Sequence, residues 1–100
     1  MKTSKLTTKI NSIRLKITEI ENMEKQHDFI NIYNEDETYN FENLSKCVNL
    51  NKQININNGA LKRMIQKTFE IYYNGNVCWL NGKMIHEYIR EFNKTFLYFK

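Results

Sequence analysis

The chain has 100 residues and a formal net charge of +4, with 41% hydrophobic and 26% charged residues, which predicts one small soluble domain. No apolar run approaches the ~20 residues needed to cross a bilayer, and the lysine-containing N-terminus lacks the apolar segment of a secretory signal. The two cysteines, Cys47 and Cys78, have no paired spacing, which favours a reduced, cytoplasmic setting.

Charge is sorted along the sequence. Residues 1–16 carry five basic side chains and no acidic one, whereas residues 17–42 carry eight acidic side chains against one lysine. Residues 43–67 again carry five basic side chains and no acidic one. The sorting predicts two local basic regions separated by an acidic one.

The longest regular pattern predicts an amphipathic helix over residues 4–27. Its apolar positions alternate steps of four and three residues, which places them on one stripe: Leu6, Ile10, Ile13, Ile17 and Ile20. Such a helix is about 36 Å long, whereas the rest of the chain makes a globule of roughly 29 Å. The stripe therefore either packs on its own domain or serves a partner, including an antiparallel second copy.

The next segments predict β-structure. Residues 29–33 and 38–41 are rich in β-branched and aromatic side chains, and the acidic residues 34–37 between them are typical of a hairpin loop. Residues 42–58 are ambiguous. A short helix fits near Leu44 and Val48, a strand fits 54–57, and Asn57-Asn58-Gly59 indicates a loop.

The C-terminal part predicts two more helices. Residues 59–73 form the first, which Asn74-Gly75 ends in a left-handed cap, although a hairpin at the same Asn-Gly is the alternative. A short strand over 76–80 and a helix over 83–94 follow. The apolar tail, residues 96–99, either closes a sheet as an edge strand or binds a partner.

The predicted fold class is α+β, with three helices around a small, mainly antiparallel sheet. The chain is interpreted as one domain in which residues 1–27 form the N-terminal helix and residues 28–100 form an α+β body.

Motifs for catalysis are missing from the sequence. The three glycines are isolated, so no phosphate-binding loop is present, and neither Cys-x-x-Cys nor paired histidines suggest a metal site. His27, Cys47, Cys78 and His86 are too scattered to predict a zinc site. We therefore expect a protein that is not an enzyme and that uses no cofactor or metal.

Binding is the more plausible role, and two sets of residues are its candidates. The predicted partner-binding residues are Leu6, Ile10, Ile13, Ile17, Ile20, Phe96, Tyr98 and Phe99. The predicted nucleic-acid-binding residues are Lys5, Lys9, Arg14, Lys16, Lys62, Arg63 and Lys67, each as a contact to phosphate. Five aromatic residues are further candidates for stacking on bases if they are exposed, and core packing is their alternative role: Tyr33, Tyr39, Tyr73, Trp79 and Tyr98.

These features predict an accessory or adaptor protein of a phage or mobile genetic element. It binds a larger nucleic-acid enzyme, such as a polymerase, primase, helicase or nuclease, and helps that enzyme to engage DNA or RNA. Two alternatives stay open. One is an anti-defence inhibitor that presents acidic segment 17–42 to a host nuclease as a nucleic-acid mimic, and the other is a homodimeric DNA-binding regulator.

Overall fold

The structure, a computed structural model, describes residues 2–99, with side chains from Lys5 onward. Three α-helices account for most of it: α1 (Lys2–Phe29), α2 (Phe41–Tyr73) and α3 (Ile85–Thr95). A 3₁₀ turn, Cys78–Leu80, precedes α3. Residues 2–99 contain no strand or sheet, so the fold is all-α and the predicted α+β class and its α+β body are wrong.

Helices α1 and α2 form a long antiparallel hairpin. Lys5, near the start of α1, lines the same groove as Asn74 at the end of α2. Near the middle, Lys16 Nζ donates a hydrogen bond of 3.0 Å to Asn57 Oδ1. At the far end, Gln26 lines a groove together with Gln53. The molecule is accordingly elongated, with principal extents of 59 × 27 × 18 Å.

The core lies mainly at one end of this hairpin. Apolar side chains from α1, α2, the 3₁₀ turn and α3 meet there in one buried cluster. Its largest fully buried members are Ile10, Ile13, Leu61, Ile65, Phe69, Leu80, Phe92 and Phe96. We call this end the head (residues 5–16 and 58–99) and the two-helix remainder the arm (residues 17–57).

The predicted hairpin over residues 29–41 is reduced to a tight turn. Tyr33 and Tyr39 form a single isolated antiparallel bridge, and Asn40 N donates to Ile32 O at 2.7 Å. Strands do not extend from this bridge because Phe29 already belongs to α1 and Phe41 to α2. The Asn40 side chain accepts a hydrogen bond from Asn43 N and thereby caps α2.

Helix α2 runs unbroken through residues 42–58, so the predicted strand at 54–57 and the loop at 57–59 are wrong. Ile54 packs against the core and Leu61 is fully buried, and two helical turns place both on the face toward α1. Asn57 stays helical while its Nδ2 donates to Gln53 O at 2.7 Å. Packing thus outweighs the low helix propensity of the asparagines.

The C-terminal helices were predicted more accurately. Asn74 ends α2 in the left-handed conformation (φ 55°, ψ 46°), which confirms the cap and excludes the alternative hairpin. The predicted helix at 83–94 is found at Ile85–Thr95. The strand over 76–80 is wrong, because Val77 and Leu80 are buried through a 3₁₀ turn. The tail is no edge strand either, since Phe96 enters the core.

Replacing Ile13 with Ala should lower the free energy of unfolding by about 2–5 kcal/mol, because Ile13 is fully buried and the change leaves a cavity. Leu15→Ala on the same helix is the control, and its effect should stay within about 0.5 kcal/mol because Leu15 is largely exposed. Urea unfolding followed by circular dichroism measures both. Equal effects of the two variants would contradict this orientation of α1.

Candidate nucleic-acid interface

The two predicted basic regions, in residues 1–16 and 43–67, meet on one face of the head. Lys5 and Lys9 come from α1, and Arg63 and Lys67 come from α2. They line two adjoining cavities of about 530 and 880 Å³, and Lys9 and Lys67 contribute to both. We call this pair of cavities the basic groove.

Helix geometry explains why these four side chains converge. Lys5 and Lys9 are four residues apart, as are Arg63 and Lys67, so each pair occupies one helix face. The antiparallel hairpin then sets the two faces side by side. Uncharged residues complete the lining near the centre of the groove: Thr8, Ser12, Ala60, Met64 and Thr68.

The side chains that line the basic groove carry a net positive charge. Glu70 is the one acidic residue among its described lining residues, against four cations. Across residues 5–99, the ion pairs join Lys16 to Glu19, His27 to Asp28 and Lys46 to Glu42. None of those pairs uses a cation of the groove, so the four charges are available to an anionic ligand.

The other three predicted nucleic-acid-binding residues make contacts within the chain. Arg14 Nη2 donates to Phe96 O at 2.9 Å and to Phe99 O at 2.8 Å, which ties the C-terminal tail to α1. Lys16 forms an ion pair with Glu19 on the same helix and donates a hydrogen bond to Asn57 across the hairpin. Lys62 Nζ lies 5.5 Å from the centroid of the Tyr88 ring, a cation–π contact. The structure therefore gives these three side chains roles in packing.

The predicted partner-binding stripe is part of the chain's own core. Leu6, Ile10, Ile13 and Ile20 are buried, and Ile17 packs partly buried against the same cluster. In this structure the stripe packs within the chain's own core, together with residues of α2, the 3₁₀ turn and α3. Phe96 is also buried and Phe99 partly so, which leaves Tyr98, 89% exposed, as the accessible member of that set.

Sequence reasoning missed the apolar residues of the arm. Phe29 is 88% and Phe41 78% exposed, and Val48 and Ile56 are also exposed on α2. Of these four residues, Phe29 borders a cavity of about 580 Å³, the arm groove, which is lined by Gln26, Phe29, Ile30, Lys46, Asn49, Leu50 and Gln53. The sequence pattern assigned Phe29 and Phe41 to strands. Extending the helical pattern forward from α1 and backward from α2 would have placed both residues at the end of the arm.

The two ends of the molecule have opposite charge. Residues 17–57, the arm, contain eight acidic and three basic side chains, whereas residues 5–16 and 58–99, the head, contain ten basic and three acidic ones. At the tip, hydrogen bonds from the Thr38 hydroxyl and the Thr38 N–H lower the pKa of Asp36.

The candidate metal ligands stay apart in the fold. Within residues 2–99, no group of three His, Cys, Asp or Glu side chains is placed to hold a metal ion. Cys47 is buried in the arm, whereas Cys78 is exposed in the head. The same residues include no helix with the length and apolarity that a membrane span requires.

Comparison with known proteins gives no guide to function, because no family model, curated protein or solved structure matches the chain.

Replacing Arg14 with Met should release the tail, because Met keeps the aliphatic stem but cannot donate to the two carbonyls. The free energy of unfolding should fall by about 1.5–3 kcal/mol, the contribution of a hydrogen bond from a charged donor. Amide hydrogen exchange should accelerate at Phe96 and Phe99, whose N–H groups donate to Phe92 O and Phe96 O respectively. Lys9→Met, on the same helix but in the groove, is the control. If the amides of the tail exchange at the same rate in both variants, Arg14 does not hold the tail.

Proposed function

We propose that this chain is a small, non-catalytic accessory protein that contacts nucleic acid through its head and a larger protein through its arm. One observation carries the nucleic-acid part. Lys5, Lys9, Arg63 and Lys67 come from segments more than 50 residues apart and line the same groove. Cations gathered in this way contact phosphates without reading bases and release condensed counterions, which favours binding at low salt.

Neutralising the groove should weaken binding to DNA or RNA. The variant Lys9→Gln/Arg63→Gln/Lys67→Gln removes three cations from the groove. In fluorescence anisotropy, its slope of log K against log[salt] should be shallower by about 2–3, since each lost phosphate contact removes about 0.7–0.9.

The matched control is Lys25→Gln/Lys46→Gln/Lys52→Gln. It lowers the net charge by the same amount but changes only the arm. Its affinity and salt slope should remain close to those of the original chain. Equal losses in both variants would mean that net charge, and not the groove, drives binding, and this would overturn the assignment of the site.

The arm supports the second half of the proposal. The arm groove is lined by the apolar residues Phe29, Ile30 and Leu50, with Lys46 as the one charged residue of its described lining, and the arm as a whole carries eight acidic and three basic side chains. Apolar contact and charge complementarity together fit an amphipathic helix with basic flanks, laid into the groove. We propose that a larger nucleic-acid enzyme of a phage or mobile element supplies this helix.

A synthetic 18-residue helix of leucines and lysines tests this surface, with a leucine–glutamate peptide of the same apolar pattern as the control ligand. The basic peptide should bind and the acidic one should not. Phe29→Ser should reduce the affinity about ten-fold or more, because the buried area of a phenylalanine is lost.

Leu97→Ser is the matched control variant, since Leu97 is also exposed but lies in the head. Its affinity for the basic peptide, measured by calorimetry, should not change. Binding that is insensitive to Phe29→Ser, or shared by the acidic peptide, would remove the arm groove as the docking surface.

A further inference from the structure

An aromatic cluster adjoins the basic groove at the end of α2. Glu70, Ile71 and Asn74 line the groove, and Tyr73 lies within the same helical turn. The Tyr73 ring meets Trp79 of the 3₁₀ turn, with centroids 6.4 Å apart and planes at 75°. Neither ring lines the groove itself, but Gly75 and Asn76, which lie between Tyr73 and Trp79 in the sequence, do line it at this end.

These rings are held in place from beneath and remain accessible from outside. Phe69 is fully buried, and its ring lies nearly parallel to that of Tyr73, 5.8 Å away at 9°. Trp79 packs on the same Phe69 ring at 5.7 Å and 66°. Nevertheless, Tyr73 remains 51% and Trp79 45% exposed. Such rings lose little conformational entropy when they contact a ligand, because packing has already fixed them.

Fixed, half-exposed aromatic rings next to a line of cations are what proteins use to bind single-stranded nucleic acid. The cations follow the backbone while bases stack on the rings, and any base can do so because each has a π-face. A duplex cannot make this contact, since its bases are already stacked on one another. The aromatic pair therefore distinguishes between single and double strands, which the cations alone do not.

We propose that the basic groove and the Tyr73–Trp79 pair form one binding site for single-stranded nucleic acid. Phosphates lie along Lys5, Lys9, Arg63 and Lys67, and one or two bases stack on Tyr73 and Trp79. This inference rests on the proposed function and adds the strandedness of the ligand.

Trp79 reports directly on the site because it is the chain's one tryptophan. The full chain is titrated at low salt with a 12-nucleotide oligothymidine and, separately, with the 12-base-pair duplex of thymidine and adenine strands. The single strand should quench the Trp79 emission to saturation. The duplex, followed by anisotropy of a labelled strand, should bind about ten-fold more weakly and leave the emission unchanged.

Variants localise the stacking. Tyr73→Ala should weaken binding of the single strand by about five-fold to a hundred-fold, the range for loss of one stacked base, whereas Tyr73→Phe should retain it. Tyr39→Ala is the matched control. Tyr39 is similarly exposed and stacks with Tyr33, but it lies at the tip of the acidic arm.

The outcomes distinguish the single-strand site from the proposed nucleic-acid binding on which it rests. If the duplex binds as tightly as the single strand and Trp79 emission never changes, the single-strand site is refuted while nucleic-acid binding by the groove stands. If neither nucleic acid binds at low salt, both are refuted. The quenching measurement needs no substitution, so a variant that folds poorly cannot obscure the result.

Discussion

The contact between the isoleucine stripe of α1 and the inner face of α2 determines the rest of the molecule. It sets the antiparallel register of the hairpin, and that register decides which charged side chains become neighbours. Because the stripe is buried against α2, Lys5 and Lys9 line the same groove as Arg63 and Lys67. The electrostatic asymmetry has the same origin, because the acidic segments meet at the turn between the helices and the basic ones meet at the opposite end.

The sequence predicted those helices in which the apolar spacing and the capping residues indicate the same structure. Helix α1 has an uninterrupted stripe, and α2 ends at an Asn-Gly pair that suits a left-handed residue. Residues 42–58 were misjudged because their asparagines favour turns while their apolar spacing favours a helix. Leu44, Cys47, Ile54, Leu61, Ile65 and Thr68 do follow a heptad spacing, with asparagines at the intervening positions 51 and 58. Because α1 has a long apolar stripe that must be covered, the heptad spacing in α2 outweighs the turn preference of its asparagines.

The sequence predicted where basic residues are concentrated, but not which of them line one groove. Sorting of charge along the sequence correctly singled out the two segments that supply the groove. It could not show that Arg14 donates to main-chain carbonyls more than 80 residues away, because such a contact depends on where the tail returns. The stripe was assigned to a partner for a related reason. An amphipathic helix shows that a cover is needed, but not whether that cover comes from the same chain.

The uneven distribution of buried side chains has a consequence for motion. Of the thirteen buried apolar residues in the described chain, only Ile20 and Cys47 belong to the arm. Regions with so little burial open at a small fraction of the global free energy of unfolding, while the rest of the structure stays folded. The arm is therefore the part of the molecule that loses its packing first, while the turn at residues 30–40 keeps its two helices joined at the tip.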